Sequence, residues 1–147
     1  MKKGKTITIC SSASFYRQGI EIEKQLKTLG FKTKIPFTAT RMRKYGDFNV
    51  ENYKTWFKNP KDYSIKTRLM KHHFKKVEEC DAVLILNYEK RGIAGYIGGN
   101  VLMEMAVAFL NKKPIYILNP IVDNLNIKEE ILGLQPKFLN GDLTKIV

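Results

Sequence analysis

Asn87-Tyr88-Glu89-Lys90-Arg91-Gly92-Ile93-Ala94-Gly95-Tyr96-Ile97-Gly98-Gly99-Asn100 runs straight into Val101-Leu102-Met103-Glu104-Met105-Ala106-Val107-Ala108-Phe109-Leu110. Before it stands Asp81-Ala82-Val83-Leu84-Ile85-Leu86, a continuous apolar run that reads as a strand buried on both faces. After it stands Lys113-Pro114-Ile115-Tyr116-Ile117-Leu118, a second such strand. Strand, glycine-rich loop, helix and strand make a βαβ unit. The loop leaves the carboxyl end of its strand, where open α/β sheets bind ligands. Within the helix every neighbour of Glu104 from Val101 to Ala108 is apolar, so a helix apolar all round is expected, buried, with one carboxylate in it. Such a group is costly unless it faces a cleft or has partners, and at the start of the helix it feels the positive end of the dipole.

Outward from this unit the chain alternates. Lys5 to Cys10 is a first strand. Ser11-Ser12-Ala13-Ser14 is a turn with helix-capping hydroxyls, and Ser14 to Leu29 is a helix stopped by Gly30. Phe31 to Pro36 is a second strand. Residues 37–63 then form a long connection, an insert in which Phe37, Tyr45, Phe48, Tyr53, Trp56, Phe57 and Tyr63 interleave with basic residues. A short helix is expected near Val50, Tyr53 and Phe57, ending before Pro60. Ile65 to Cys80 is a helix with Ile65, Leu69, His73 and Val77 near one stripe. Asn126 to Leu132 is a short helix and Pro136 to Leu139 a last strand. This alternation predicts an α/β fold: one domain over residues 1–147, a three-layer sandwich on a five-stranded parallel sheet in the flavodoxin-like order 2-1-3-4-5.

Composition narrows the function classes. Forty-four per cent hydrophobic residues exclude a disordered chain. No apolar run reaches the roughly 18 residues of a membrane span, and the basic N-terminus is followed by a short alternating strand, not a signal peptide. Cys10 and Cys80 are too few for a disulfide framework or a metal cluster and read as buried, reduced thiols in a cytoplasmic protein. The formal charge of +12 suits an anionic ligand, a phosphate-bearing metabolite or nucleic acid, and equally a lysine-rich solvated surface.

The candidate site residues gather at the two βα loops. Glu104 is the one with catalytic character; the plain alternative is a capping or ion-paired glutamate. Gly98-Gly99-Asn100 can place backbone N–H groups at a helix N-terminus for an anion or a ribose hydroxyl, although the spacing is neither a Walker loop nor GxGxxG. Ser11 and Ser12 occupy the first βα turn, where phosphates often bind. His72 and His73 are adjacent on a helix, face different ways and form no i, i+4 metal pair. Cys10 reads as an inert strand-end thiol. No metal and no cofactor is called for.

The run Asp81 to Asn87, the glycine-bearing loop and Met103-Glu104-Met105-Ala106-Val107-Ala108 together resemble the nucleoside 2-deoxyribosyltransferases and their relatives, the 2'-deoxynucleoside 5'-phosphate N-hydrolases. The likeness is greatest to uncharacterised members carrying Tyr-Ile-Gly-Gly-Asn-x-x-x-Glu-Met. It implies a flavodoxin-like fold and a glutamate nucleophile at Glu104, with Ala108 as the small residue after it. It also implies a homodimer or higher homo-oligomer with the site near the interface. Asn87 stands where the transferases carry an aspartate that handles the proton of the base. Asn100-Val101 replaces their Gly-Thr, and Ala106 their second glycine.

On this reading Glu104 attacks the anomeric carbon of a deoxynucleoside or its 5'-phosphate. Ser11, Ser12 and the N–H groups of Gly98, Gly99 and Asn100 hold ribose or phosphate. Asn87 borders the pocket, and Trp56 or a tyrosine stacks on the base. Asp123, Glu89 or Tyr88 would supply the proton in place of the missing aspartate. Two other readings stay open: a nucleotide-binding or sensor module without catalysis, and nucleic-acid binding through the basic aromatic insert, which is less favoured.

Overall fold

The computed structural model describes residues 4–147. Its centre is a five-stranded, all-parallel sheet in the order 2-1-3-4-5. The strands are β1 (Thr6–Ser11), β2 (Lys32–Lys34), β3 (Ala82–Leu86), β4 (Ile115–Ile117) and β5 (Lys137–Phe138). The helices are α1 (Tyr16–Thr28), α2 (Phe37–Tyr45), α3 (Tyr63–Glu79), α4 (Gly99–Leu110) and α5 (Lys128–Gly133). β1 and β3 pair along their whole length, Ile7 opposite Ala82 and Ser11 opposite Leu86, so their carboxyl ends lie side by side.

Strand residues alternate between two faces. Ile7, Ile9, Leu84, Leu86 and Tyr116 pack with Ile20 and Leu26 of α1 and Ala39 of α2. Cys10, Val83, Ile85 and Ile117 point the other way, onto Val77 of α3, Val101, Met105 and Ala108 of α4, and Ile131 of α5. Because Cys10 belongs to the second face, its thiol looks toward α3 and α4.

Two expectations are corrected. In the connection after β2 the helix lies earlier than expected, because the first nine residues of the connection form α2. Pro36 starts this helix, and Gly46, at φ +64°, ends it. α2 is fastened by Glu23 of α1, a buried carboxylate that accepts from Arg43 Nη1 at 2.7 Å and from the Thr33 hydroxyl at 2.9 Å. The helix expected over Val50 to Phe57 is only one 3-10 turn, Val50–Asn52, capped by Asn49. The second correction concerns α4. It is buried along one stripe, Val101, Glu104, Met105 and Ala108, while Met103, Phe109 and Leu110 are exposed.

The loop after β3 is held by Asn87, which is fully buried. Its Nδ2 donates to the carbonyls of Asn119 (2.7 Å) and Gly95 (3.3 Å), and its Oδ1 accepts from the Asn119 N–H (2.8 Å). The Asn119 side chain returns a bond to the Asn87 carbonyl at 3.1 Å. This clamp ties the ends of β3 and β4 together. Gly95 sits inside it at φ +66°, where an added Cβ would lie 2.1 Å from the Pro120 carbonyl oxygen. Gly99, at the start of α4, has nothing within 4 Å of that position. Gly95→Ala should therefore cost about 3 kcal/mol, combining overpacking against rigid backbone with left-handed strain. Gly99→Ala should stay within about 0.5 kcal/mol of the parent. Urea denaturation midpoints of the two variants check the contrast.

Candidate functional site

Three elements bring three polar side chains to one point beside the carboxyl end of β1. Cys10 comes from β1, His73 from the buried stripe of α3 and Glu104 from the buried stripe of α4, and all three are at least 95% buried. Cys10 Sγ lies 3.6 Å from His73 Nε2, and His73 Nε2 lies 4.0 Å from Glu104 Oε1. The other carboxylate oxygen, Oε2, accepts from Asn100 Nδ2 at 3.1 Å. Asn100 Oδ1 accepts from Lys66 Nζ at 3.0 Å, and that ammonium lies 5.6 Å from the centre of the Trp56 ring.

Glu104 and His73 form part of the wall of a narrow cleft. Trp56 and Tyr53 come to it from the segment after α2, Lys54 from between them, Lys66 from α3, Asn100 from α4 and Tyr16 from α1. Its free volume is about 60 Å³, well under the roughly 300 Å³ at which small-molecule pockets begin. The roof is pinned. The Tyr53 hydroxyl donates to the Asp47 carbonyl at 2.9 Å, Thr55 donates to Asp62 at 2.6 Å, and Trp56 is almost wholly buried.

Electrostatics follow from this enclosure. Burial raises the Glu104 carboxyl from 4.5 to about 8, against smaller opposing effects of Cys10, Lys66 and Asn100. Burial, with Lys76 next, lowers His73 from 6.5 to about 3. Burial pushes the Cys10 thiol up, and the nearby carboxylate adds to this. At neutral pH all three groups are uncharged, so Cys10 and His73 are not a thiolate–imidazolium pair and the thiol lacks the character of a nucleophile. Lys54 and Lys66 are held below the ordinary lysine value by burial first and neighbouring cations second. Neither has a carboxylate partner among the described residues.

Of the residues singled out in the sequence, Glu104, Asn100 and Trp56 meet at the cleft. The other expected binding residues, Ser11, Ser12, Asn87, Gly98 and Gly99, lie outside its wall. The Ser11 hydroxyl donates to the Ser12 carbonyl at 3.1 Å. The Ser12 hydroxyl accepts from Lys90 Nζ at 2.9 Å and caps a short 3-10 turn. Asn87 is engaged in the clamp with Asn119, and Gly98 and Gly99 open α4. The three candidate proton donors also lie elsewhere: Asp123 is exposed and ion-paired to Lys128, Glu89 accepts from the Gly92 N–H, and Tyr88 packs edge-on against Phe15. Tyr16 and the meeting of Cys10 with His73 escaped the sequence reading. The signal was there: His73 lies on the buried stripe of its helix, and Cys10 ends the strand next to the ligand-binding edge.

No protein-family model matches the sequence, and no curated protein sequence matches it. Among solved structures, the 2-deoxyribosyltransferase of Bacillus psychrosaccharolyticus matches at TM-score 0.53 and 16% identity, covering 83% of this chain and 77% of that one. This likeness shows a shared fold. The flavoenzyme NAD(P)H:(acceptor) oxidoreductase FerB of Paracoccus denitrificans matches at TM-score 0.41 and 16% identity, over 78% of this chain and 59% of that one.

The raised Glu104 value makes a prediction about stability. The folded protein keeps the proton that an unfolded chain loses above 4.5, so the contribution of Glu104 is complete below that pH and is lost as pH climbs through about 8. Glu104→Gln has no such proton to lose. Its stability relative to the parent should rise with pH across that window and level off beyond it. Paired urea titrations from acid to mildly alkaline pH, with a chelator present, measure the difference; a flat one would contradict the buried carboxyl.

Proposed function

We propose that this cleft belongs to an enzyme that cleaves or transfers the N-glycosidic bond of a deoxynucleoside or its 5'-phosphate, with Glu104 as the nucleophile. The observation that carries the reading is Glu104 in the wall of a cleft that also presents an aromatic face, Trp56, and two cations, Lys54 and Lys66, with no ion-paired carboxylate among the described residues. An aromatic ring suits a base and the cations suit a phosphate. The distant fold relationship to a 2-deoxyribosyltransferase supports the same substrate class.

In the proposed reaction a Glu104 carboxylate oxygen bonds to the anomeric carbon. The C–N bond breaks, its electron pair leaves with the base, and the base takes up a proton. Water or a second base then attacks the anomeric carbon of the glycosyl ester and frees the carboxylate. Two things must change first. The roof must lift, because the cleft is too small for a nucleoside. The carboxyl must ionise, and admission of water drives it that way, because burial is what raises its pKa. Of the groups lining the cleft, Lys54, whose ammonium burial holds below the ordinary lysine value, can pass a proton to the base. Met103, Phe109 and Leu110 on the outer face of α4 would serve the homo-oligomer contact.

A second reading has its own support. A neutral Glu104 and an asparagine locked away from the cleft also suit a nucleotide-binding module without turnover. Glu104→Gln separates the two, because it keeps the shape and the bond from Asn100 but removes the charge that meets the oxocarbenium-like transition state. Turnover should fall by about 10²–10³ with binding retained. Deoxynucleosides and their monophosphates are offered to parent and variant, and released base is followed by chromatography. If both bind a nucleotide equally and neither releases base, the module replaces the enzyme.

A further inference from the structure

We propose that Cys10, His73 and Glu104 form a binding site for one zinc-class divalent cation, with the cleft supplying an open fourth position. Thiolate, imidazole and carboxylate are the ligand types that zinc takes, and three protein ligands with one free position are the usual set of a reactive zinc. The three groups come from β1, α3 and α4, and their ligand atoms all lie within 4.8 Å of one another. The separations of 3.6 Å (Sγ to Nε2) and 4.0 Å (Nε2 to Oε1) are close to the roughly 3.3–3.6 Å between ligand atoms around a tetrahedral ion with bonds of about 2.0–2.3 Å. Both contacts use the same imidazole nitrogen. A catalytic relay would place thiol and carboxylate on opposite nitrogens, whereas a common metal centre needs them on the same side of the ring.

The surroundings fit the role. His73 Nδ1 is buried without a well-formed hydrogen bond, and the Ile9 backbone is a weak partner of the ring; metal binding at Nε2 fixes the ring proton on Nδ1. Glu104 Oε2 is held by Asn100, itself held by Lys66, which leaves Oε1 to face the ion. His73 and Glu104 line the cleft and Cys10 does not, so the thiolate closes the site from behind. Charge balances: one thiolate and one carboxylate neutralise a divalent cation, and the S–H and carboxyl protons pass to solvent on binding.

This site goes beyond the glycosyl-transfer reading and competes with it, because a metal-bound carboxylate cannot attack an anomeric carbon. The test uses the full-length protein, stripped with chelator and titrated with Co²⁺ and then Zn²⁺. One Co²⁺ per chain should bind with an intense thiolate-to-cobalt band in the near ultraviolet, and Zn²⁺ should displace it. Cys10→Ser should abolish the band, and Cys10→Ser and His73→Gln should each weaken binding by about 100-fold or more. His72→Ala, on the adjacent helix position, should change neither. X-ray absorption of the wild-type zinc form should show one sulfur and the rest nitrogen or oxygen, which keeps the proposal testable if a variant misfolds. Absence of the band, of the sulfur scatterer, or binding that survives both ligand substitutions overturns it. Base release measured in chelator tests the glycosyl-transfer reading separately, so either can fail without the other.

Discussion

The cost of ionising a carboxyl inside a protein governs this site. Glu104 occupies the buried stripe of α4 among Val101, Met105 and Ala108, and Asn100 donates a hydrogen bond to its Oε2. A charge in that place is several kcal/mol too expensive unless water, a cation or a transition-state charge accompanies it. The folded chain answers by keeping the proton, and the same enclosure keeps His73 neutral and Cys10 a thiol. The result is a neutral polar pocket beside the carboxyl end of β1.

The rigidity that keeps this pocket in place comes from a different interaction. Asn87 and Asn119 exchange hydrogen bonds across the ends of β3 and β4, and Gly95 folds its carbonyl into the same clamp. An aspartate at position 87 would set a charge against two carbonyl oxygens and lose the donor both require. Asparagine at this position is therefore built into the fold. The amide holds the loop and faces away from the cleft.

The fold was legible because its signals are repeated and local. Two continuous apolar runs, an alternating first strand and glycines at loop and helix ends carry the βαβ logic, and the strand order follows. α2 was hidden because only Ala39 and Met42 of its nine residues are buried, too little for a periodic signal among arginines and lysines. The one-sided burial of α4 was also hidden, since Met103, Phe109 and Leu110 are apolar yet exposed. At the site, Glu104, Asn100 and Trp56 could be placed from their surroundings in sequence. Cys10 and His73 are 63 residues apart, and their contact depends on how α3 lies against the sheet, which no spacing encodes.

Charge ties the roof to the floor of the cleft. Lys54 is repelled by Arg91, and both Lys66 and Lys90 are repelled by Lys54, so the cations crowd one side with no ion-paired carboxylate among the described residues. Lys66 spans the two layers: it rests on the Trp56 ring above and on Asn100, and through it Glu104, below. An anion arriving at Lys54 and Lys66 would relieve the repulsion but would also weaken the pull of Lys66 on the carboxylate, making Glu104 harder to ionise. A cation on Cys10, His73 and Glu104 would do the reverse, drawing the carboxylate charge to itself and freeing Lys66 for the anion. Lys66, by its two contacts, joins the positive rim of the cleft to its neutral floor.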